Sequence, residues 1–286
     1  MKQKATRKEA SRESDHGWGA LDTPQSRRRG GLVEHYDLPH PAVPPGLEGF
    51  SILHLTDFHT TRRRRPVVLG QLLDEIGRIE VDLVALTGDY MDHPGDEGAA
   101  LEVLAEVLGR VRSRQGAVGI FGNHDTAAFR REARGVGAVR WLEHEGVHLE
   151  GVGLTVAGAS FPEDVLRTAL ETGSSGFVLG LVHYPSEMYP ASEVGWPVVL
   201  AGHTHGGQVR LGATRTPHTS CDLPSGAASG VICRGETVCA ISRGLGETVA
   251  RVRFRCPAQA PVYRLVRGPI GEVEAWKGDV GRLRAW

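Results

Sequence analysis

Asp57-Phe58-His59 places a carboxylate and an imidazole two residues apart, and side chains at that spacing leave an extended chain on the same side. Both can then reach one cation. The same geometry returns at His203-Thr204-His205, where Gly202, Gly206 and Gly207 allow close backbone approach. Between these pairs lie Gly88-Asp89-Tyr90-Met91-Asp92, Gly122-Asn123-His124-Asp125 and a lone His183. A carboxylate such as Asp89, in a tight turn after a glycine, can bridge two cations with its two oxygens. Asn123 offers a neutral carbonyl oxygen. Taken singly, each has a plainer reading: Asp89 as a turn aspartate, Asn123 as a left-handed turn residue, His183 as a core histidine. Taken together, Asp57, His59, Asp89, Asn123, His183, His203 and His205 form a mixed imidazole and oxygen set. That set suits borderline cations such as Mn²⁺, Fe²⁺ or Zn²⁺ rather than Ca²⁺. Two such ions about 3.5–4 Å apart activate a bridging water and clamp a phosphoryl oxygen, so the spacing predicts a two-metal hydrolase.

The elements that must position these side chains are legible as apolar runs. Residues 50–55, 83–86 and 118–121 read as buried strands, each ending at one of the first three motifs. Helices are expected over residues 67–79, with Leu69, Leu72, Leu73, Ile76 and Ile79 on one face, and over a second stretch with Leu101, Leu104, Ala105, Leu108 and Val111 on one face. This alternation argues for βαβ units and a mostly parallel sheet, whose sites form beyond the carboxyl ends of strands. The second half is strand-rich: 147–149, 154–157, 177–183, 198–200, 208–211, 237–242, 252–255 and 262–266, with one helix near 163–171. A second sheet packed on the first, with helices outside, is the expected architecture.

The chain has 286 residues, enough for one large α/β domain, and its net charge of −1 points to no specific nucleic-acid partner. The charge is uneven, since residues 1–31 carry a net +4 and few apolar residues. They read as a disordered basic tail with weak attraction to anionic surfaces. No apolar run approaches the roughly 18 residues of a membrane span. Arg27-Arg28-Arg29 is followed by no apolar stretch and is not read as an export signal. The four cysteines, Cys221, Cys233, Cys239 and Cys256, form no Cys-x-x-Cys pair and are expected to be reduced, as in the cytoplasm.

The ordered motifs resemble those of the calcineurin-like metallophosphoesterase superfamily: Asp-x-His, Gly-Asp-x-x-Asp, Gly-Asn-His-Asp, His and Gly-His-x-His. Thr204-His205-Gly206-Gly207-Gln208-Val209-Arg210-Leu211, Ser242-Arg243-Gly244-Leu245-Gly246 and Val252-Arg253-Phe254 are similar to its bacterial branch of YkuE- and YaeI-like phosphodiesterases. The likeness spans about residues 32–268, leaving 269–286 as a C-terminal tail. It implies a four-layer αββα sandwich of two stacked mixed sheets flanked by helices. It implies that Asp57, His59 and His205 hold one metal, that Asn123, His183 and His203 hold a second, and that Asp89 bridges them. His124 would protonate the leaving-group oxygen or stabilise its charge, with Asp92 orienting it, and Asp125 would support the ligands from behind. The implied reaction is hydrolysis of a phosphodiester or pyrophosphate bond, in a small-molecule or lipid-linked substrate, by a hydroxide held between the metals. The alternatives are cleavage of UDP-2,3-diacylglucosamine in lipid A synthesis and, in another class, a non-catalytic scaffold on the same fold. Where the branch often has a glycine after the first motif, this chain has Arg62, Arg63, Arg64 and Arg65. They are expected either to grip an anionic substrate by forked hydrogen bonds or to form a solvated basic loop. The branch often carries an export signal or anchor; with none seen, the expectation is a cytoplasmic protein with peripheral membrane contact open.

Overall fold

A computed structural model describes residues 19–21, 31–136, 139–173, 176–211, 216–217, 219, 221–223, 225–249, 251–270 and 282–283. Two large sheets stack face to face. The six-stranded sheet runs in the order β2 (Val33–His40), β15 (Ala260–Arg267), β3 (Ser51–Leu55), β5 (Leu83–Thr87), β7 (Ala117–Ile120), β8 (Val139–Trp141). The eight-stranded sheet runs β16 (Arg282–Leu283), β1 (Gly19–Leu21), β13 (Gly230–Arg234), β14 (Thr237–Ile241), β12 (Val198–Ala201), β11 (Phe177–Leu181), β10 (Leu154–Ala159), β9 (His144–Leu149). A small ribbon of β4 (Glu80–Val81) and β6 (Arg112–Ser113) lies apart.

Strict alternation along fully buried strands sorts side chains into three layers. In β5, Leu83 and Ala85 face the other sheet, while Val84 and Leu86 face helices. In β12, Val198 and Leu200 join the intersheet layer, while Val199 and Ala201 face outward. Helices α1 (Leu69–Ile76), α2 (Glu97–Arg110) and α3 (Ala127–Ala133) cover the outer face of the six-stranded sheet. Helices α4 (Val165–Thr172) and α5 (Met188–Glu193) cover the other. The result is the expected αββα order. As expected too, β3, β5 and β7 are parallel, and β8 pairs parallel beside them.

Several local expectations differ. Helix α2 buries Ala100, Val103, Leu104 and Val107, with the expected Leu101, Leu108 and Val111 partly buried against the same core and only Ala105 of the expected face exposed. The buried face is centred on the two valines and the alanine, slightly round the helix from the expected one. Residues 208–211 and 252–255 form no strands. They meet only through a bridge between Val209 and Phe254, because Gln208, Arg251 and Arg255 have φ of 51°, 46° and 53° and turn the chain out of extended form. Strands β8 and β13 and helices α3 and α5 were not expected. Apart from Gly19–Leu21, which pairs antiparallel with β13, and Gly31, the expected basic tail lies outside the described residues. So does most of residues 269–286.

Candidate metal centre

The functional side chains sit where parallel strands end. Asp57 and His59 follow β3, Asp89 follows β5, and Asn123 follows β7. His183 follows β11, and His203 and His205 follow β12. The carboxyl ends of strands from both sheets thus converge on one place. Five of these residues have left-handed backbone: Asp57 (φ 54°), His59 (44°), Asp89 (57°), His203 (69°) and His205 (51°). For non-glycine residues each such conformation is strained, and such strain concentrates at sites where the surrounding fold imposes it.

Two donor groups result. Nε2 of His205 lies 3.0 Å from Nε2 of His59 and 3.4 Å from Oδ1 of Asp57. On the other side, Nε2 of His183 lies 3.3 Å from Nδ1 of His203 and 3.1 Å from Oδ2 of Asp89. That same Oδ2 is 3.5 Å from Nε2 of His59, so one carboxylate oxygen stands between the groups. The other oxygen of Asp89 accepts the His124 N–H at 2.9 Å, which fixes the carboxylate plane. Gly122 and Gly202 make this crowding possible, since a Cβ at either would overlap the carboxylates of Asp89 and Asp57 respectively.

The electrostatics without a cation are unbalanced. Burial would lower the pKa of His183, but the adjacent Asp89 carboxylate overrides it and pushes the imidazole up to about 10. Burial raises Asp57, and it lowers His205 with help from the neighbouring His59. Oδ1 of Asn123 and Nδ1 of His205 are buried without hydrogen-bond partners among the described residues. Facing imidazole nitrogens, crowded carboxylates and an orphaned amide oxygen are the donor set a divalent cation requires, and the residues fit one.

The supports divide differently from the sequence reading. Oδ1 of Asp92 accepts from Nδ1 of His59 at 3.0 Å, whereas Nδ1 of His124 donates at 2.7 Å to the main-chain carbonyl of Asp92. The Asp92 carboxylate is 3.9 Å from His124. Burial pushes Asp92 up, but the His59 hydrogen bond and neighbouring cationic groups hold it below the usual carboxylate range. Asp125 ties the two loops together, accepting from the N–H groups of Asp89 at 2.9 Å, Tyr90 at 2.9 Å and Gly122 at 2.7 Å. Burial and the nearby Asp89 charge raise it to about 7 against those donors.

Three residues were not singled out as site residues from sequence. Glu163 accepts the N–H groups of His183 and Tyr184, and burial raises it to about 8. Arg253 donates to the carbonyls of His205, Arg243, Gly244, Gly246 and Cys256, binding the last two loops around the centre. Arg251 donates to Oδ2 of Asp92 at 3.1 Å. Both arginines lie in or beside the Val252-Arg253-Phe254 motif, which was the available signal; Glu163 had none. Of the four tandem arginines, Arg62 lies near Asp96, Arg64 pairs with Glu247 at 2.9 Å, and Arg65 reaches Glu102 and Glu106.

The family model described as calcineurin-like phosphoesterase matches residues 50–207. The metallophosphoesterase YkuE of Bacillus subtilis (strain 168) is 27% identical over 244 residues, covering 78% of this chain and 81% of its own. The phosphodiesterase YaeI of Escherichia coli (strain K12) is 26% identical over 237 residues, covering 76% and 82% respectively. A solved structure, a putative 5'-nucleotidase from Staphylococcus aureus, shares 11% identity at a TM-score of 0.41, covering 79% of this chain. The chain spans 56% of that protein.

Proposed function

The chain belongs to the calcineurin-like phosphoesterase family and is a hydrolase of phosphoric ester bonds; from this premise we propose that it cleaves a phosphodiester or pyrophosphate bond with two divalent cations. The observation that carries the proposal is Oδ2 of Asp89 standing 3.5 Å from His59 and 3.1 Å from His183, one member of each donor group. Asp57, His59 and His205 would hold one ion; Asn123, His183 and His203 the other; Asp89 would contact both. Mn²⁺, Fe²⁺ and Zn²⁺ suit this donor chemistry. Such ions, when bound, neutralise phosphoryl charge and lower the pKa of water.

The chain's own groups do the rest. His124 is partly exposed at 29% of its side chain, with its ring edge-on to His59 at 4.7 Å. Because Nδ1 is committed to the Asp92 carbonyl, Nε2 is left to face a substrate. There it can hold a proton and pass it to the departing oxygen, the task of a general acid. Asp92 acts on the centre through His59, keeping that ring's Nε2 aimed at the donor group. A cytoplasmic location is supported by the four cysteines, which form no disulfide among the described residues. Among the described residues no helix is long and apolar enough to cross a membrane.

The test is a panel of aryl phosphomonoesters, aryl phosphodiesters and nucleotide-sugar pyrophosphates assayed with Mn²⁺. Hydrolysis of diesters or pyrophosphates above monoesters is expected. Hydrolysis of monoesters alone, or of nothing with metal demonstrably bound, would overturn the reading.

A further inference from the structure

Two loops beside the centre hold apolar side chains in water. Leu211 is 71% exposed, Val249 93%, Val252 49% and Phe254 52%. Single exposed apolar residues are ordinary on any surface, but these belong to one paired structure. The side-chain amide of Gln208 donates to the Thr248 carbonyl at 2.8 Å, Arg210 N–H to the Phe254 carbonyl at 3.0 Å, and Phe254 N–H back to the Gln208 carbonyl at 2.8 Å. The same loops wall the centre, through Arg253 to the His205 carbonyl and Arg251 to Asp92.

Arginines are interleaved with these apolar groups. Arg255 lies 5.3 Å over the Phe254 ring. Arg251 precedes Val252 and is 40% exposed. The tandem-arginine loop joins here too, because Arg64 pairs with Glu247, two residues before Val249. Arg62 and Arg63 of the same loop are exposed.

We propose that this rim is a docking surface for an anionic phospholipid layer, with Leu211, Val249, Val252 and Phe254 entering the headgroup region and the exposed Arg255 and Arg63 meeting lipid phosphates. Aliphatic and aromatic tips interspersed with arginine are the composition of peripheral membrane contacts, where each cation near the surface adds attraction. A second copy of the chain is a poorer occupant, since a two-fold contact sets the same arginines against one another. Docking by this rim turns the mouth of the centre toward lipid headgroups, which goes beyond the bond type proposed above. It also gives the residue 62–65 loop a task that does not require contact with the reacting phosphate.

The experiment is flotation of the full chain with vesicles of phosphatidylcholine plus phosphatidylglycerol, and with vesicles of phosphatidylcholine alone. Wild type should float with the first far more than the second. The double variant Val249→Asp/Phe254→Asp should lose binding by about tenfold or more, given the apolar area removed from the contact. Neither residue belongs to the centre, so hydrolysis of a soluble aryl phosphodiester should stay at the wild-type rate. Arg255→Glu, at an exposed position, should weaken flotation as well. No flotation of wild type overturns the proposal. Equal flotation of wild type and both variants overturns it too, assigning binding to residues 1–31. So does a wild-type dimer that dissociates in the double variant while neither floats. Absence of hydrolysis with flotation intact would instead count against the hydrolase reading alone.

Discussion

Replacing Asp92 by Asn separates two roles that the sequence places in one residue. The carboxylate accepts a hydrogen bond from His59 at 3.0 Å, and the two side chains are only 1% and 3% exposed, so solvent does little to weaken it. A hydrogen bond to a charged group contributes about 1.5–3 kcal/mol. Removing an outer partner of a metal-binding histidine costs roughly 10–100-fold in metal affinity. The Mn²⁺ dissociation constant of Asp92→Asn should therefore rise by about 10–100-fold. The partner of His124 is the main-chain carbonyl, which the substitution keeps. Turnover at saturating Mn²⁺ should then fall by less than about tenfold, well short of the roughly 10²–10⁴-fold carried by a general acid. The assay is calorimetric titration of the metal alongside diester hydrolysis at saturating metal. Arg251→Met is the control, because it removes one partner of Oδ2, which keeps His93 at 3.3 Å, and leaves His59 its partner; at a half-exposed ion pair the cost should stay within about fivefold. An Asp92→Asn protein with wild-type metal affinity and the turnover of His124→Ala would refute this reasoning. The carboxylate would then act on His124, as the motif alone suggests.

Asp89→Asn should abolish metal retention and activity together, read by elemental analysis after gel filtration, since it weakens both donor groups at once. His124→Ala should keep its metal and lose about 10²–10⁴-fold in turnover at saturating metal; a rate near wild type would remove His124 from the chemistry. Gly122→Ala should lower metal affinity by about tenfold or more with little change in circular dichroism, because its Cβ meets the Asp89 carboxylate. In metal-free protein the folded-state pKa of His183, about 10, lies above its unfolded value of about 6.5. That contribution is complete below about 6.5 and is lost as pH rises toward 10. Metal binding requires the neutral imidazole, so the melting-temperature increment from Mn²⁺ should grow between pH 6.5 and 9. A constant increment would count against protons and metal competing for this site.

Much of the centre is written locally. Each donor follows an apolar run, and a strand that ends in a carboxylate or imidazole places it beyond the sheet edge whatever the rest of the chain does. The alternation of strands and helices before residue 121 forces parallel pairing, and the two-residue spacing of Asp57 with His59 and of His203 with His205 marks paired ligands. What local pattern could not contain is partnership across distance. Asp92 meets His59 from 33 residues away, Glu163 meets the His183 backbone from 20, and Arg253 reaches the His205 carbonyl from 48. Nothing in the neighbourhood of Asp92 tells which of two histidines its carboxylate will serve. The parallel pairing of β3 with β5 decides it, by carrying His59 to the carboxylate and leaving His124 the carbonyl. The centre of the buried α2 face has the same cause, since Ala105 is exposed while Ala100, Val103 and Val107 are buried. The left-handed backbone at five donors is likewise a tertiary product, because those conformations are unfavourable alone and persist only where the surrounding fold holds them. The sequence by itself determined which chemistry is available and in what order along the chain; the packing of two sheets determined which atoms meet.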